Sequence, residues 1–224
     1  MAMSHLTAVR MPKTQTSPRR LVTEATMLPP GVTPAGSRGV ILNEALRLFA
    51  ERGYGSASIR DIAERVGIKA ASMYSHYPSK AHVLAELIKI GHDEHLRRMR
   101  EAVRSAKNDP VSQLVAVVRA HTLAHAEYAM LAVVSHAELH SLAPEFAAPI
   151  LAVRRQSEML LADIIQRGVN LGLFDVPDAQ LAMLAIGAMG LRVAHWFSPD
   201  QGRTAEQIAD NYAQFATRLV GVAS

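Results

Sequence analysis

The chain has 224 residues, no cysteine and a formal net charge of +4, and 49% of its residues are apolar. That length and composition fit one or two domains with a substantial core, and they exclude disulfides, zinc–thiolate centres and thiol catalysis, which suits a reducing cytoplasm. Residues 1–36 hold four basic side chains and one acidic, residues 37–90 eight and five, and residues 91–224 twelve and fourteen, so a polyanion-binding front is expected to join a different rear module.

Residues 1–36 are expected to be an unstructured arm. Pro12, Pro18, Pro29, Pro30, Gly31, Pro34 and Gly36 interrupt any helix. The arm reads either as a floppy tail or as a DNA-touching segment through Arg10, Lys13, Arg19 and Arg20. It has no apolar stretch of the kind a secretory signal needs. A helix is predicted from Ser37 to Arg52, with Ile41, Leu42, Ala45, Leu46 and Phe49 at helical spacing and Gly53 as its stop. Ser58 caps the next helix, with Asp61 three residues on, and Ile59, Ile62, Ala63 and Val66 form its apolar face. Gly67 makes a turn. A short helix follows over about 70–76, then a long one begins behind Ser79, a predicted N-cap, and runs to about Ser105.

Further along, Asp109 and Pro110 start one or two helices that fill 110–141. Pro144 and Pro149 mark a break, and a helix is predicted from Ile150 to Leu171, ended by Gly172. Ala179 to Phe197 is apolar on nearly every side, so it is expected to be buried on nearly every side. Its uncharged run, Ala179 to Leu191, is shorter than the ~20 residues of a membrane span. Thr204 and Gln207 form a capping box for a last helix lined by Ile208, Tyr212, Phe215, Ala216 and Leu219. No segment reads as a strand. The fold class is all-α with nine to ten helices.

Two short helices hinged at Gly67, the second carrying small and polar residues on its outer side, have the layout of a helix-turn-helix that enters the DNA major groove. Residues 38–86 resemble the N-terminal domain of tetracycline-repressor-type (TetR) regulators. That family runs from Phe-x-x-x-Gly through Ile-x-x-Ile-Ala-x-x-x-Gly-Val to Leu-Tyr-x-His-Phe-x-x-Lys. Here those places hold Phe49 and Gly53, then Ile59, Ile62, Ala63, Gly67 and Ile68, then Met73, Tyr74, His76, Tyr77 and Lys80. Lys69 stands where the family usually has Ser or Thr, so a capping hydroxyl is exchanged for a cation. The resemblance implies a basic arm over 1–36, a helix-turn-helix domain over 37–83, and a ligand-binding and dimerisation domain over 84–224.

The DNA-facing set implied by this reading is Arg38, Ser58, Arg60, Lys69, Ala70, Ala71, Ser72, Tyr74, His76 and Lys80. Tyr74 can donate its hydroxyl to a phosphate, and Lys80 can clamp a phosphate at the start of the fourth helix. Lys69 to Ser72 open the helix whose first residues face base edges. Ala71 can touch a thymine methyl and Ser72 can bond either way, so neither defines a sequence. His76 reads equally as a phosphate contact or a packed histidine.

The rear half supplies apolar bulk and thioethers for a ligand cavity, with Met130, Leu131, Val134, Phe146, Met159, Met183, Met189 and Trp196 as its expected lining. For any one of these, an ordinary core place is the competing reading. Ala182, Ala185, Gly187, Ala188, Gly190 and Ala194 allow close helix approach. With Arg154, Arg155 and Arg192 they form the expected homodimer face; the arginines pair with acids across the dimer or neutralise an anionic ligand. His121/His125 and His136/His140 have chelating spacing but no thiolate or fixed carboxylate beside them. They are read as hydrogen-bonded or pocket histidines, so no metal and no cofactor are expected. The tail from Trp196 onward resembles the lipid- and sterol-catabolism repressors of the KstR type, which implies an acyl-CoA or lipid-derived effector.

Three functions compete on this sequence. The first is a cytoplasmic regulator whose partners are double-stranded DNA, a small hydrophobic effector and a second copy of itself, without a membrane. The second is an all-helical metal-dependent enzyme built on the two histidine pairs, although the chain lacks a nucleophile elbow, a phosphate loop, a carboxylate dyad and a His-Glu-x-x-His run. The third is a non-specific DNA packager, which has no need of a large apolar rear domain.

Overall fold

The computed structural model describes residues 28–222. Arg10, Lys13, Arg19 and Arg20 of the arm lie outside the described residues. Nine α-helices are found among those described: α1 (Ser37–Arg52), α2 (Ile59–Val66), α3 (Ala70–His76), α4 (Lys80–Ser105), α5 (Pro110–Glu127), α6 (Ala129–Glu138), α7 (Pro144–Asn170), α8 (Ala179–Trp196) and α9 (Ala205–Leu219). Two single 3₁₀ turns, Leu139–Ser141 and Pro199–Gln201, sit between them. No strand occurs among the described residues.

Local chemistry sets most of the boundaries. Asp109 accepts from the Ser112 N–H at 2.8 Å with Pro110 at the first helical position. Thr204 and Gln207 close their reciprocal cap at 3.2 and 2.9 Å. Ser79 holds the N-cap position of α4, but its hydroxyl bonds the His82 ring at 2.8 Å instead of a backbone N–H.

Three expectations are corrected. The arm does not extend to residue 36, because Leu28 and Pro29 are buried and Thr33 turns back on Pro29, its N–H 3.0 Å from that carbonyl. Pro149 does not break the chain. It lies inside α7, early enough to remove one backbone bond, to the carbonyl of Glu145 in an exposed first turn that water can reach. The last helix buries Ile208 and Ala216 as expected, but Ala209 and Ala213 join them while Phe215 and Leu219 stay exposed at 44% and 38%.

The buried apolar residues form two clusters. One joins α1, α2 and α3 to the first part of α4 and reaches Met130, Leu131 and Val134 of α6 and Ile150 of α7. The other gathers Met99 with α5, the later part of α7, α8 and α9. α4 runs through both, so the two halves of the molecule share one continuous helix.

Candidate nucleic-acid interface and ligand cavity

α2 begins with a two-way cap: the Asp61 N–H donates to Ser58 Oγ at 3.1 Å and the Ser58 N–H to Asp61 Oδ2 at 2.7 Å. This holds the Asp61 carboxyl below its ordinary range. Gly67, at φ +76°, ends the helix in left-handed backbone, with the Ile68 N–H reaching back to the Ala63 carbonyl at 3.0 Å. α3 then starts after only two more residues.

Ile62, Met73 and Tyr77 lose almost all accessible surface and fix α2 and α3 to the scaffold. Burial also pushes the Tyr77 phenol up to about 12. The opposite side of α3 stays open, with Lys69, Ala71, Ser72, Tyr74 and Ser75 exposed and Tyr74 at 53%. The segment from Gly67 to Ser79 holds one cation, Lys69, and no acid. An α-helix with a small, uncharged outer side beside a cation suits a major groove.

Behind this head lies a cavity of about 320 Å³, walled by α4, α5, α6, α7 and α8, within the roughly 300–1,000 Å³ of small-molecule sites. Its apolar wall includes Met99, Val118, Leu131, Leu161 and Met183, and its polar groups include His92, His95, His121, His125, His136 and Arg154 together with Glu94, Tyr128 and Glu158. Ser135 and Ser157 also line it, and each buries a hydroxyl oxygen that has no hydrogen-bond partner within the described protein. Burial lowers the His92 ring to about 4 and the His125 ring to about 3, and holds His95 and His121 below the usual histidine range. The rings stay neutral at physiological pH.

The family model described as bacterial regulatory proteins of the tetR family matches residues 41–87, and the one described as the tetracyclin repressor-like C-terminal domain matches residues 107–220. The chain belongs to the TetR family. It is 27% identical over 192 residues to the HTH-type transcriptional repressor KstR2 of Rhodococcus jostii, covering 85% of this chain and 93% of that one. A solved structure of a tetR-family regulatory protein from Rhodococcus RHA1 is 30% identical with a TM-score of 0.79, covering 85% of this chain and all of that one. The crystal structure of AibR in complex with isovaleryl coenzyme A and operator DNA is 27% identical with a TM-score of 0.70, covering 82% and 97%. The first two of these relatives are described as a transcriptional repressor and a regulatory protein. Among the described residues no helix is long and apolar enough to cross a membrane.

The TetR fold exposes most of the predicted DNA-facing set: Arg38, Ser58, Arg60, Lys69, Ala71, Ser72 and Tyr74 are open, and Ala70 and His76 are half-buried. Two cations there also carry structure. The Lys80 ammonium donates to the Tyr54 and Ala57 carbonyls, each at 2.6 Å, and lies 4.0 Å from the centre of the Tyr54 ring. One N–H remains for a phosphate, so the expected clamp is first a brace for the loop before α2. Arg38 stacks over Tyr77 and bonds Glu86 at 2.5 Å. Ser75, exposed with its hydroxyl on the Ser72 carbonyl at 2.7 Å, is an outer residue of α3 that spacing alone did not single out.

The expected cavity lining is corrected more heavily. Leu131 and Met183 line the cavity. Met130 and Val134 are buried in the head cluster instead, because the inner side of α6 faces forward. Phe146 packs edge-on against His82, Met189 packs in the rear cluster, Trp196 lies against Phe197 and Tyr212, and Met159 is 55% exposed. The groups missed were His92 and His95, which α4 carries to the wall from a distant part of the sequence.

Of the expected dimer face, Arg155, Ala185, Ala188 and Arg192 are exposed. Ala182, Gly190 and Ala194 are buried within the chain. At Gly190 a Cβ would run into the His121 ring, so its smallness serves α5, not a partner. Arg154 reaches the cavity and bonds Glu158 on its own helix at 2.9 Å. α8 is not buried all round: Leu181 and Leu184 are 63% and 51% exposed, as are Met159 and Leu151 of α7 at 55% and 39%. His136 and His140 are exposed and do not join His121 and His125, whose third neighbour is His95.

Proposed function

We propose that this chain is a ligand-responsive repressor that binds a palindromic operator as a homodimer and is released by a small apolar or acyl-CoA-type effector. The observation that carries the reading is the open side of α3, Lys69 to Ser75, held out by the buried Met73 and Tyr77. Two such heads about 34–36 Å apart read a palindrome. The apolar surface left by α7 and α8, including Leu181, Leu184 and Met159, suits a second copy of the same helices. Isovaleryl coenzyme A and operator DNA on the related AibR support the effector class, as do the unpartnered Ser135 and Ser157 hydroxyls and the Arg154 guanidinium at the cavity wall.

The route from cavity to head is short. Leu131 belongs to both the cavity wall and the head cluster. At the end of the same helix Glu138 accepts from the Tyr54 N–H at 3.1 Å and from the Ser141 hydroxyl at 3.0 Å. An effector that presses on α6 shifts the loop that sets α2, provided that it binds the two arrangements unequally.

Selection of duplexes from a random pool, followed by gel shift and sedimentation, tests the reading. A dimer that contacts ~6–10 phosphates should lose roughly 10³–10⁵ in affinity between 50 and 200 mM salt. Tyr74→Ala should weaken binding without unfolding the head, and an acyl-CoA series should release the DNA. A monomer indifferent to duplex DNA and to salt sinks the proposal.

A further inference from the structure

The cavity wall holds a cluster that DNA reading does not require. His95 of α4 and His121 and His125 of α5 each place one ring nitrogen in a group whose three atoms lie within 4.8 Å of one another. The ring centres are 4.5 to 5.3 Å apart. Backbone carbonyls fix two of the rings. His125 Nδ1 is 2.8 Å from the His121 carbonyl and His121 Nε2 is 3.0 Å from the Gly187 carbonyl, so each of these nitrogens carries the proton. His125 Nε2 and His121 Nδ1 are left with their lone pairs, and that of His121 accepts from the His95 Nε2–H at 2.7 Å.

We propose that His95, His121 and His125 form a binding site for a divalent cation of the zinc class, with a fourth coordination position open to the cavity. Three imidazoles and an open position are a familiar donor set for zinc. A ligating histidine that donates its other N–H to a carbonyl has the usual outer-shell support, and His121 and His125 both have it here. On binding, His95 carries its proton on Nδ1 and offers Nε2, so each ring ligates as a neutral imidazole. Two nitrogens on one tetrahedral zinc lie about 3.4 Å apart, so His95 and His121 exchange their direct hydrogen bond for the ion by a small opening of the rings. The nearby acids are engaged elsewhere: Glu94 bonds Arg97 at 2.7 Å and Arg98 at 2.6 Å, and Glu158 bonds Arg154. The fourth position is left to water or to a donor atom entering the cavity.

The test uses the untagged full chain, stripped with a chelator and titrated with Co²⁺ alone, then with Zn²⁺ as competitor. The proposal expects about one ion per chain, the intense visible bands of a four-coordinate Co²⁺ site, and their loss when Zn²⁺ displaces it. His125→Asn and His95→Asn should each weaken Co²⁺ binding by at least about 100-fold, while His140→Asn, at an exposed residue outside the cluster, should not change it. If a histidine variant fails to melt cooperatively, Gly190→Ala reads the same site by displacing the His121 ring. Absence of the bands in the wild-type chain, or binding unchanged in the folded histidine variants, overturns the proposal. Neither DNA nor effector enters the measurement, so its failure leaves the regulator reading standing.

Discussion

In the head, Met73, Tyr77, Ile62 and Leu84 are almost without accessible surface and the working residues lie on the outside. In the rear domain the helices close around about 320 Å³ of space, and the polar groups with unusual ionisation line the inside. The head is packed so that one short helix is presented in a fixed pose. The rear domain is packed so that it can be filled. Close packing transmits strain and resists it, whereas a hollow wall gives when a ligand enters.

The sharpest way to break this contrast is to hollow the head. Met73→Ala removes a buried anchor of α3 and should cost about 2–5 kcal/mol of stability, read by denaturant melts, with loss of DNA binding. A hole of that kind in the head that left stability untouched would mean its packing is not what holds α3. The converse change fills a tight place in the rear. Gly190→Ala pushes on the His121 ring and should cost about 1–3 kcal/mol, with the DNA face unchanged.

Titration separates the two regions as well. His92 and His125, at about 4 and about 3, and the lowered His95 stay neutral in the folded chain while the unfolded chain takes up protons below about pH 6.5. Their unfolded forms bind more protons, so stability is full above pH 6.5 and falls as the pH drops toward 4. Each ring contributes a slope of at most about 1.4 kcal/mol per pH unit. His125→Gln should flatten that slope in melting curves of the chelator-stripped chain taken across this range. The smallest effect on stability is expected on the open side of α3. Lys69→Ala should alter stability by no more than about 0.5 kcal/mol yet reduce the log–log salt slope of DNA binding by about 1.

The same contrast explains what could be read from the sequence. Ser58, Asp61 and Gly67 act on neighbours within a few residues, so the reading head is legible to within a residue. The TetR-like pattern then assigns its outer side. The cavity is made by side chains that meet across helices, as His95 and His121 do at a separation of 26 residues. No local spacing announces that meeting. Gly190 and Ala182 are small, and smallness alone does not say whether the close neighbour is α5 of the same chain or a second copy. Pro149 is legible as a proline but not as a tolerated one, because tolerance depends on where α7 begins.

α4 has one more property. At 26 residues it is a rod of about 39 Å. Lys80 braces one end to the loop before α2 and His95 stands beside the cavity about 22 Å along it. A tilt of about 5° pivoting at His95 swings the Lys80 end by about 2 Å. A reorientation of α4 too slight to unpack any core therefore still moves its Lys80 end and the loop that Lys80 braces.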